Sequence, residues 1–237
     1  MPTDDSGAPA EPDWHRAAVG GLWEEIGRLQ LEFLVSQGLK PGHRVLDVGC
    51  GSLRGGIHLI RYLDPGGYVG VDKNPQLLAA GRDIELRRAG LEDRPTLLVG
   101  LDHFEFGTLN RRFDYAIAHS LFTHLPLNEI LVCLMRIEPV LAADGKLYAT
   151  FFENTRGKAF LDPIVWPGVD GDTVTFPDRD PYHYCFDAFE WICRGTGLRA
   201  ECLGEWGHPR SQRMLRFTRR ASGPDSRERP AGAGDPA

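Results

Sequence analysis

The sequence predicts an α/β fold in which a mostly parallel sheet carries helices on both faces. Short apolar runs at 45–48, 68–72 and 113–118 alternate with helical patterns, and this alternation is typical of parallel sheets. The run at 45–48 is almost entirely apolar, as expected of a central strand that is covered on both sides. At 237 residues the chain is long enough for one such domain.

The composition favours a globular protein of the cytoplasm. Hydrophobic residues make up 42% of the chain and charged residues 25%, which is ordinary for a soluble domain. The formal net charge of -6 argues against nucleic-acid and membrane-surface partners. No apolar run approaches the ~18 residues of a membrane span, and residues 1–12 lack the features of a signal peptide. The five cysteines form no C-x-x-C pair, which favours reduced thiols.

The first segments are a tail and a helix. Residues 1–12 are rich in Asp, Pro, Ala and Gly, which predicts disorder, so we expect the domain to span 13–220. Within 13–40 apolar residues recur at helical spacing and predict one amphipathic helix. This helix either packs on the sheet or closes over a ligand. The candidate residues for closing over the ligand are Trp14, Trp23 and Glu24.

A glycine-rich turn, Gly49-Cys50-Gly51, links the first strand to a helical segment at 55–63. Gly49 and Gly51 have no Cβ, so the backbone can turn tightly and lie close to a ligand. The second strand ends at Asp72, 21 positions after Gly51. In α/β nucleotide folds, a carboxylate about 20 residues after such a turn accepts hydrogen bonds from ribose hydroxyls. Asp72 can instead cap the next helix, but the turn and both strands together favour ligand binding.

The spacing of the glycines separates two kinds of ligand. A dinucleotide fingerprint would place a third glycine at position 54, where the chain has Arg54. Asp47 lies just before the turn, where it favours a cationic ligand over a diphosphate. The segment Asp47-Val48-Gly49-Cys50-Gly51 strongly resembles motif I of class I S-adenosylmethionine-dependent methyltransferases. The resemblance implies a Rossmann-like, seven-stranded, mostly parallel sheet with an antiparallel C-terminal strand.

The same resemblance implies S-adenosylmethionine as the cofactor and a set of residues that bind it. Asp102, after the strand at 96–99, matches the acid that binds the adenine amine, although a solvated loop carboxylate fits the sequence equally well. His119, at the end of the fourth strand, matches a position next to the methionine portion. The expected cofactor residues are Asp47, Gly49, Cys50, Gly51, Arg54, Asp72, Lys73, Leu101, Asp102 and His119.

Two further segments carry candidates for proton transfer. The loop at 119–126 contains His124, and imidazole is a suitable base near neutral pH, although a structural role in capping or orienting the loop is favoured. Residues 153–184 are rich in Pro and aromatic side chains and interrupt the alternation, which predicts a substrate lid. Within this lid we expect His183 to act as a second candidate base and Asp180 to orient a base.

No metal is expected at the acidic residues of the lid, because their spacing matches no known ligand loop. The chain then predicts a helix at 186–197, paired strands at 198–204 and 212–217, and a disordered tail at 221–237.

The functional prediction is methyl transfer to the oxygen or nitrogen of a small molecule, with bacterial secondary metabolism as one setting. A nicotinamide-dinucleotide oxidoreductase is disfavoured by Arg54. A non-catalytic module that binds the same cofactor stays open. The sequence does not indicate an oligomeric state.

Overall fold

The computed structural model describes residues 13–94, 96–155 and 161–220. The expected disordered tails, 1–12 and 221–237, lie outside these residues, as do 156–160 of the predicted lid.

The fold is built on a sheet whose main path runs β3-β2-β1-β4-β5-β10-β9. Neighbours from β3 to β5 are parallel, whereas β10 runs antiparallel to both β5 and β9. This arrangement confirms the Rossmann-like α/β fold with seven strands on the path and an antiparallel C-terminal strand. The strands of this path are β1 (Val45–Val48), β2 (Tyr68–Asp72), β3 (Leu97–Gly100), β4 (Phe113–Ala118), β5 (Leu141–Glu153), β9 (Leu198–Gly204) and β10 (Arg213–Arg219).

Helices lie along the chain between these strands. They are α1 (Trp14–Ala18), α2 (Trp23–Ser36), α3 (Gly56–Tyr62), α4 (Pro75–Ala80), α5 (Leu86–Arg88), α6 (Leu127–Ile137) and α7 (Phe186–Cys193). A π-helical turn at Gly81–Glu85 joins α4 to α5, so these two helices form one segment with an irregular turn. None of the described helices is long and apolar enough to cross a membrane.

Both faces of the sheet are covered, as the apolar first strand predicts. Side chains alternate across a strand, and the two buried clusters follow this alternation. Leu46 and Val48 belong to one cluster, whereas Val45 and Ile117 belong to the other. Apolar side chains on both faces bury the central strands, so the polar Asp47 between them is also held below the surface.

The N-terminal segment forms two helices where the sequence predicts one. The chain adopts positive φ angles at Gly20 (86°), Gly21 (62°) and Leu22 (44°), and such angles cannot continue an α-helix. The break has bonding partners, since Gly21 O accepts a hydrogen bond of 2.8 Å from Arg54 Nη1. Helix α1 is thereby directed to the glycine-rich turn instead of extending α2.

The predicted lid contains short strands. Within its described residues, β6 (Ile164–Trp166) and β7 (Thr173–Thr175) form an antiparallel pair. Strand β8 (His183–Tyr184) joins the end of β5 in parallel. The lid is therefore anchored at the edge of the sheet where the central parallel strands end.

Candidate active site

A cavity of about 1000 Å³ lies at the carboxyl ends of β1 to β4, where open α/β sheets bind their ligands. Every residue that the sequence predicts to bind the cofactor lines this cavity, including Lys73 and Leu101. The sequence therefore identified one connected surface made from the ends of four strands.

The glycine-rich turn forms the floor of the cavity in the backbone conformation that glycine permits. Gly49 and Gly51 have φ angles of 74° and 54°, in the left-handed region that most side chains avoid. A Cβ on Gly51 would lie 2.6 Å from Val19 Cγ1, which is too close for two carbon atoms. The turn thus leaves room for a ligand and for helix α1 only because both residues lack side chains.

Asp72 is tied to this turn and does not cap α4. Its Oδ2 accepts a hydrogen bond of 2.8 Å from Gly51 N, and its Oδ1 accepts one of 2.8 Å from Asn74 N. The cap of α4 is Asn74, whose side-chain oxygen accepts from Gln76 N at 2.9 Å. The alternative role of Asp72 as a helix cap is therefore taken by its neighbour, and its carboxylate lines the cavity.

Asp47 is a buried carboxyl at the bottom of the cavity. It is 3% exposed, and Tyr68 Oη donates a hydrogen bond of 2.7 Å to its Oδ2. Burial raises the pKa of Asp47 from 3.8 to about 7, with the Tyr68 hydrogen bond opposing this rise and the charge of Asp72 adding to it. A cationic ligand would favour the ionised carboxylate and would lower this pKa again.

This raised pKa predicts that affinity for S-adenosylhomocysteine, which carries an ammonium group, rises with pH through about 7. Because the folded protein holds the Asp47 proton more tightly than the unfolded chain, the contribution of Asp47 to stability without ligand should fall between about pH 4 and 7, whereas the buried His119 and His208 contribute the opposite slope. Calorimetric titrations and urea unfolding across this range measure both effects. Asp47→Asn should remove the pH dependence of affinity and make the slope of stability against pH more positive than in the wild type, and Tyr68→Phe should move the midpoint of the affinity change to higher pH. A pH-independent affinity in the wild type would contradict the assignment.

The third acid expected at the cofactor, Asp102, lies on the rim of the same cavity. It follows β3 after one residue, Leu101, and is exposed. The next two residues, His103 and Phe104, have positive φ angles of 54° and 59°, so the chain turns sharply there. The turn keeps Asp102 at the cavity, where a carboxylate can accept a hydrogen bond from an amine.

The N-terminal segment closes one side of the cavity through small residues. The lining includes Ala17, Ala18, Val19 and Gly20. It includes neither the aromatic candidates Trp14 and Trp23 nor Glu24.

Helix α1 is held by Glu85 of the π-helical turn, which bonds His15 at 2.6 Å and Arg16 at 2.7 and 2.8 Å.

Two polar residues expected at the cofactor are almost fully buried in the cavity wall. Arg54 is 7% and His119 8% exposed, and Arg54 Nη2 lies 3.4 Å from His119 Nδ1. Burial and the Arg54 charge hold the pKa of His119 well below its usual value, so this imidazole is neutral. Because Arg54 can only donate, His119 Nδ1 is the acceptor and Nε2 carries the hydrogen.

The candidate base His124 pairs with Asp180 across the mouth of the cavity. His124 Nδ1 lies 2.6 Å from Asp180 Oδ1, and the two side chains are 55% and 57% exposed. His124 lines the cavity, and the lid contributes Asp180. Folding thus joins two residues that are 56 positions apart.

The other candidate base, His183, lies elsewhere. Its side chain is fully buried in β8, its Nδ1 lies 2.8 Å from Thr175 Oγ1, and it does not line the cavity. The parallel pairing of His183 with Phe152 of β5 places it in the packed base of the lid. The expectation that it meets a substrate is therefore not supported by its position.

The cavity also contains polar residues that the sequence did not indicate as functional. Arg210 and Gln212 come from the segment between β9 and β10, and Asp170 comes from the lid. In the sequence, residues 207–211 indicate only a turn that contains Gly and Pro. No local pattern indicates that this turn returns to the cavity.

Comparisons with known proteins agree with this geometry. Residues 46–147 match a family model described as a methyltransferase domain. A methyltransferase from Clostridium acetobutylicum, described as S-adenosylmethionine-dependent, is 11% identical with a TM-score of 0.62, over 85% of this chain and 94% of the other. The CcbJ methyltransferase from Streptomyces caelestis is 14% identical with a TM-score of 0.61, over 82% and 95%.

A third structure is similar over most of its length and contains a bound ligand. It is magnesium protoporphyrin IX methyltransferase from Synechocystis with bound S-adenosylhomocysteine, at 18% identity and a TM-score of 0.58, over 83% of this chain and 85% of the other. These low identities show a shared fold. The matched methyltransferase domain model lies within this shared fold and covers the strands that form the carboxylate-lined cavity.

Proposed function

We propose that this enzyme methylates an oxygen or nitrogen atom of a small-molecule acceptor. The observation that carries the proposal is the His124–Asp180 pair, with Nδ1 2.6 Å from Oδ1, at the mouth of the cavity that the cofactor residues line. One cavity thus combines residues suited to the cofactor with a base suited to an acceptor, which is the arrangement that proximity catalysis needs.

The ends of β1, β2 and β3 are proposed to hold the cofactor. Asp72 would accept hydrogen bonds from the ribose hydroxyls, and Asp102 one from the adenine amine. Asp47 would balance positive charge from below the glycine turn, and Arg54 and His119 would face the methionine portion. When bound, the cofactor supplies an electrophilic methyl group on a positively charged sulfur.

The acceptor is proposed to enter on the lid side, next to Phe152, Thr173 and His124. Asp180 orients His124 by accepting the Nδ1 hydrogen, which leaves Nε2 free to accept a proton from the acceptor hydroxyl or ammonium group. The deprotonated oxygen or nitrogen keeps its electron pair for the new bond to carbon.

Three observations support a small acceptor over a macromolecule. The cavity is covered by the lid and by the segment after α1, the net charge is -6, and one structural relative is named for a porphyrin substrate. We include in the proposal a cytoplasmic role in bacterial secondary metabolism, in keeping with the unpaired cysteines.

The test is methyl transfer from cofactor labelled in its methyl group to a panel of phenols, carboxylic acids and amines. We expect S-adenosylhomocysteine and labelled product to form in equal amounts with at least one class. Calorimetry should detect binding of S-adenosylhomocysteine and none of NAD. Binding without turnover on any class would instead indicate the non-catalytic module, and binding of NAD would indicate an oxidoreductase.

A further inference from the structure

The lid-side wall of the cavity contains two guanidinium groups close together. A Cβ built on Gly20 would lie 3.0 Å from Arg210 Nη1 and 3.8 Å from Arg54 Nη1, so both cationic groups meet at one point of the N-terminal segment. Two like charges at such a distance repel each other. Burial and the charge of Arg210 lower the pKa of Arg54 to about 10, while Asp47 opposes this effect.

The same wall has hydrogen-bond donors in excess of acceptors. Arg210 N donates to His208 Nδ1 at 3.1 Å, so the Nε2 of this neutral imidazole carries a hydrogen, as does that of His119. The two rings lie 5.2 Å apart, and each residue is 8% exposed. Their Nε2 atoms and Arg54 Nε have no hydrogen-bond partner among the described residues. Buried donors without acceptors are costly, so the protein around Arg210 is rich in donors and poor in acceptors.

One carboxylate already binds at the edge of this cluster. Asp170, from the loop between β6 and β7, pairs with Arg210 through Nε at 3.0 Å and through Nη2. Arg210 Nη2 also donates to Gly20 O at 2.6 Å. The lid, the N-terminal segment and the β9–β10 turn therefore meet at Arg210, and the group that Arg210 binds from the lid is an anion.

The position of Arg210 in the sheet favours the acceptor over the cofactor as the source of an anion. The carboxylates expected to hold the cofactor follow β1, β2 and β3, whereas Arg210 immediately precedes β10. Strands β4 and β5 separate β10 from β1 in the sheet. Arg210 thus enters the cavity from beyond β5, on the side where Asp170 of the lid binds it.

We propose that Arg210 binds a carboxylate or phosphate group of the methyl acceptor. The acceptor anion competes with Asp170 for Arg210, so its binding is coupled to the position of the lid. This inference rests on the proposed methylation of a small molecule and adds the chemical class of that molecule.

The experiment measures binding of simple probes to protein saturated with S-adenosylhomocysteine. Benzoate and phenyl phosphate are compared with the neutral benzamide by calorimetry. We expect both anions to bind at least tenfold more tightly than benzamide. Arg210→Gln should weaken the anions at least tenfold, Asp170→Asn should tighten them severalfold, and Arg82→Gln, which removes an exposed arginine outside the cavity, should change neither.

Two results would overturn the proposal. Equal binding of anions and benzamide would show that no anion subsite is present. The proposal would also fail if the anions bound only in the absence of S-adenosylhomocysteine and if Arg210→Gln bound S-adenosylhomocysteine more weakly. That result would show that Arg210 holds the carboxylate of the cofactor. Failure of every variant and the wild type to bind S-adenosylhomocysteine would instead reject the proposed function as a whole.

Discussion

Asp72→Ala is expected to weaken binding of S-adenosylhomocysteine by at least about 100-fold, which corresponds to about 3 kcal/mol. The substitution removes the carboxylate proposed to bind the ribose hydroxyls, and hydrogen bonds to charged groups contribute about 1.5–3 kcal/mol each. It also leaves Gly51 N and Asn74 N without their acceptor, so the glycine turn keeps only its backbone hydrogen bonds to Val71 of β2. Isothermal titration calorimetry measures the change directly.

Two further variants separate the role in binding from a general effect of charge. Asp83→Ala removes an exposed carboxylate of the π-helical turn that does not line the cavity, and its affinity should stay within about twofold of wild type. Asp72→Asn keeps an acceptor for one backbone N–H but lacks the charge. Its affinity for S-adenosylhomocysteine should therefore lie between those of the wild type and of Asp72→Ala. A loss smaller than about threefold in a well-folded Asp72→Ala protein would contradict the assignment of Asp72 to the cofactor.

His124→Ala is expected to lower turnover at saturating acceptor by about 100-fold, the lower range for loss of a positioned base. The effect should appear in kcat with little change in affinity for S-adenosylhomocysteine, because His124 is proposed to contact the acceptor. Adding free imidazole should restore part of the rate, which a purely structural role of His124 would not predict. Steady-state kinetics with the acceptor found in the labelled-methyl assay gives these values.

Asp180→Asn tests the positioning role separately. It keeps a side chain of similar shape at 180 but weakens the interaction with His124 Nδ1, so kcat should fall about tenfold and less than in His124→Ala. His43→Ala, outside the cavity, is the matched control and should retain normal kcat. If His124→Ala turns over at the wild-type rate with saturating acceptor, the base is excluded and methyl transfer depends on orientation alone.

The fold could be predicted to a large extent because its signals are local. The apolar run of β1 and the acid that ends β2 lie in short stretches of sequence, and right-handed connections between parallel strands leave few topologies for such a pattern. The break between α1 and α2 begins at the pair Gly20-Gly21, which is a turn signal in the sequence, and continues at Leu22, whose positive φ angle an apolar helical pattern does not predict. Contacts from Arg54 and Arg210 to Gly21 and Gly20 accompany this break.

The candidate cofactor residues follow strand ends, and strand ends of a parallel sheet necessarily meet at one edge. This is why every cofactor residue expected from the motif lines the cavity. The two candidate bases show the limit of this reasoning. His183 and Asp180 are close in the sequence of the lid, yet only Asp180 reaches the mouth of the cavity, where it meets His124. Strand pairing buries His183 beside Thr175.

Local patterns in the chain were thus sufficient to predict the sheet, the glycine turn and the acids that surround it, because hydrophobic periodicity and backbone freedom act over a few residues. The pairing of His124 with Asp180 and the meeting of Arg54, Arg210 and Asp170 needed the folded chain. Asp170 and Arg210 are 40 positions apart, and His124 and Asp180 are 56 positions apart. Their geometry depends on how the lid and the last turn pack on the sheet edge, and no local pattern encodes that packing.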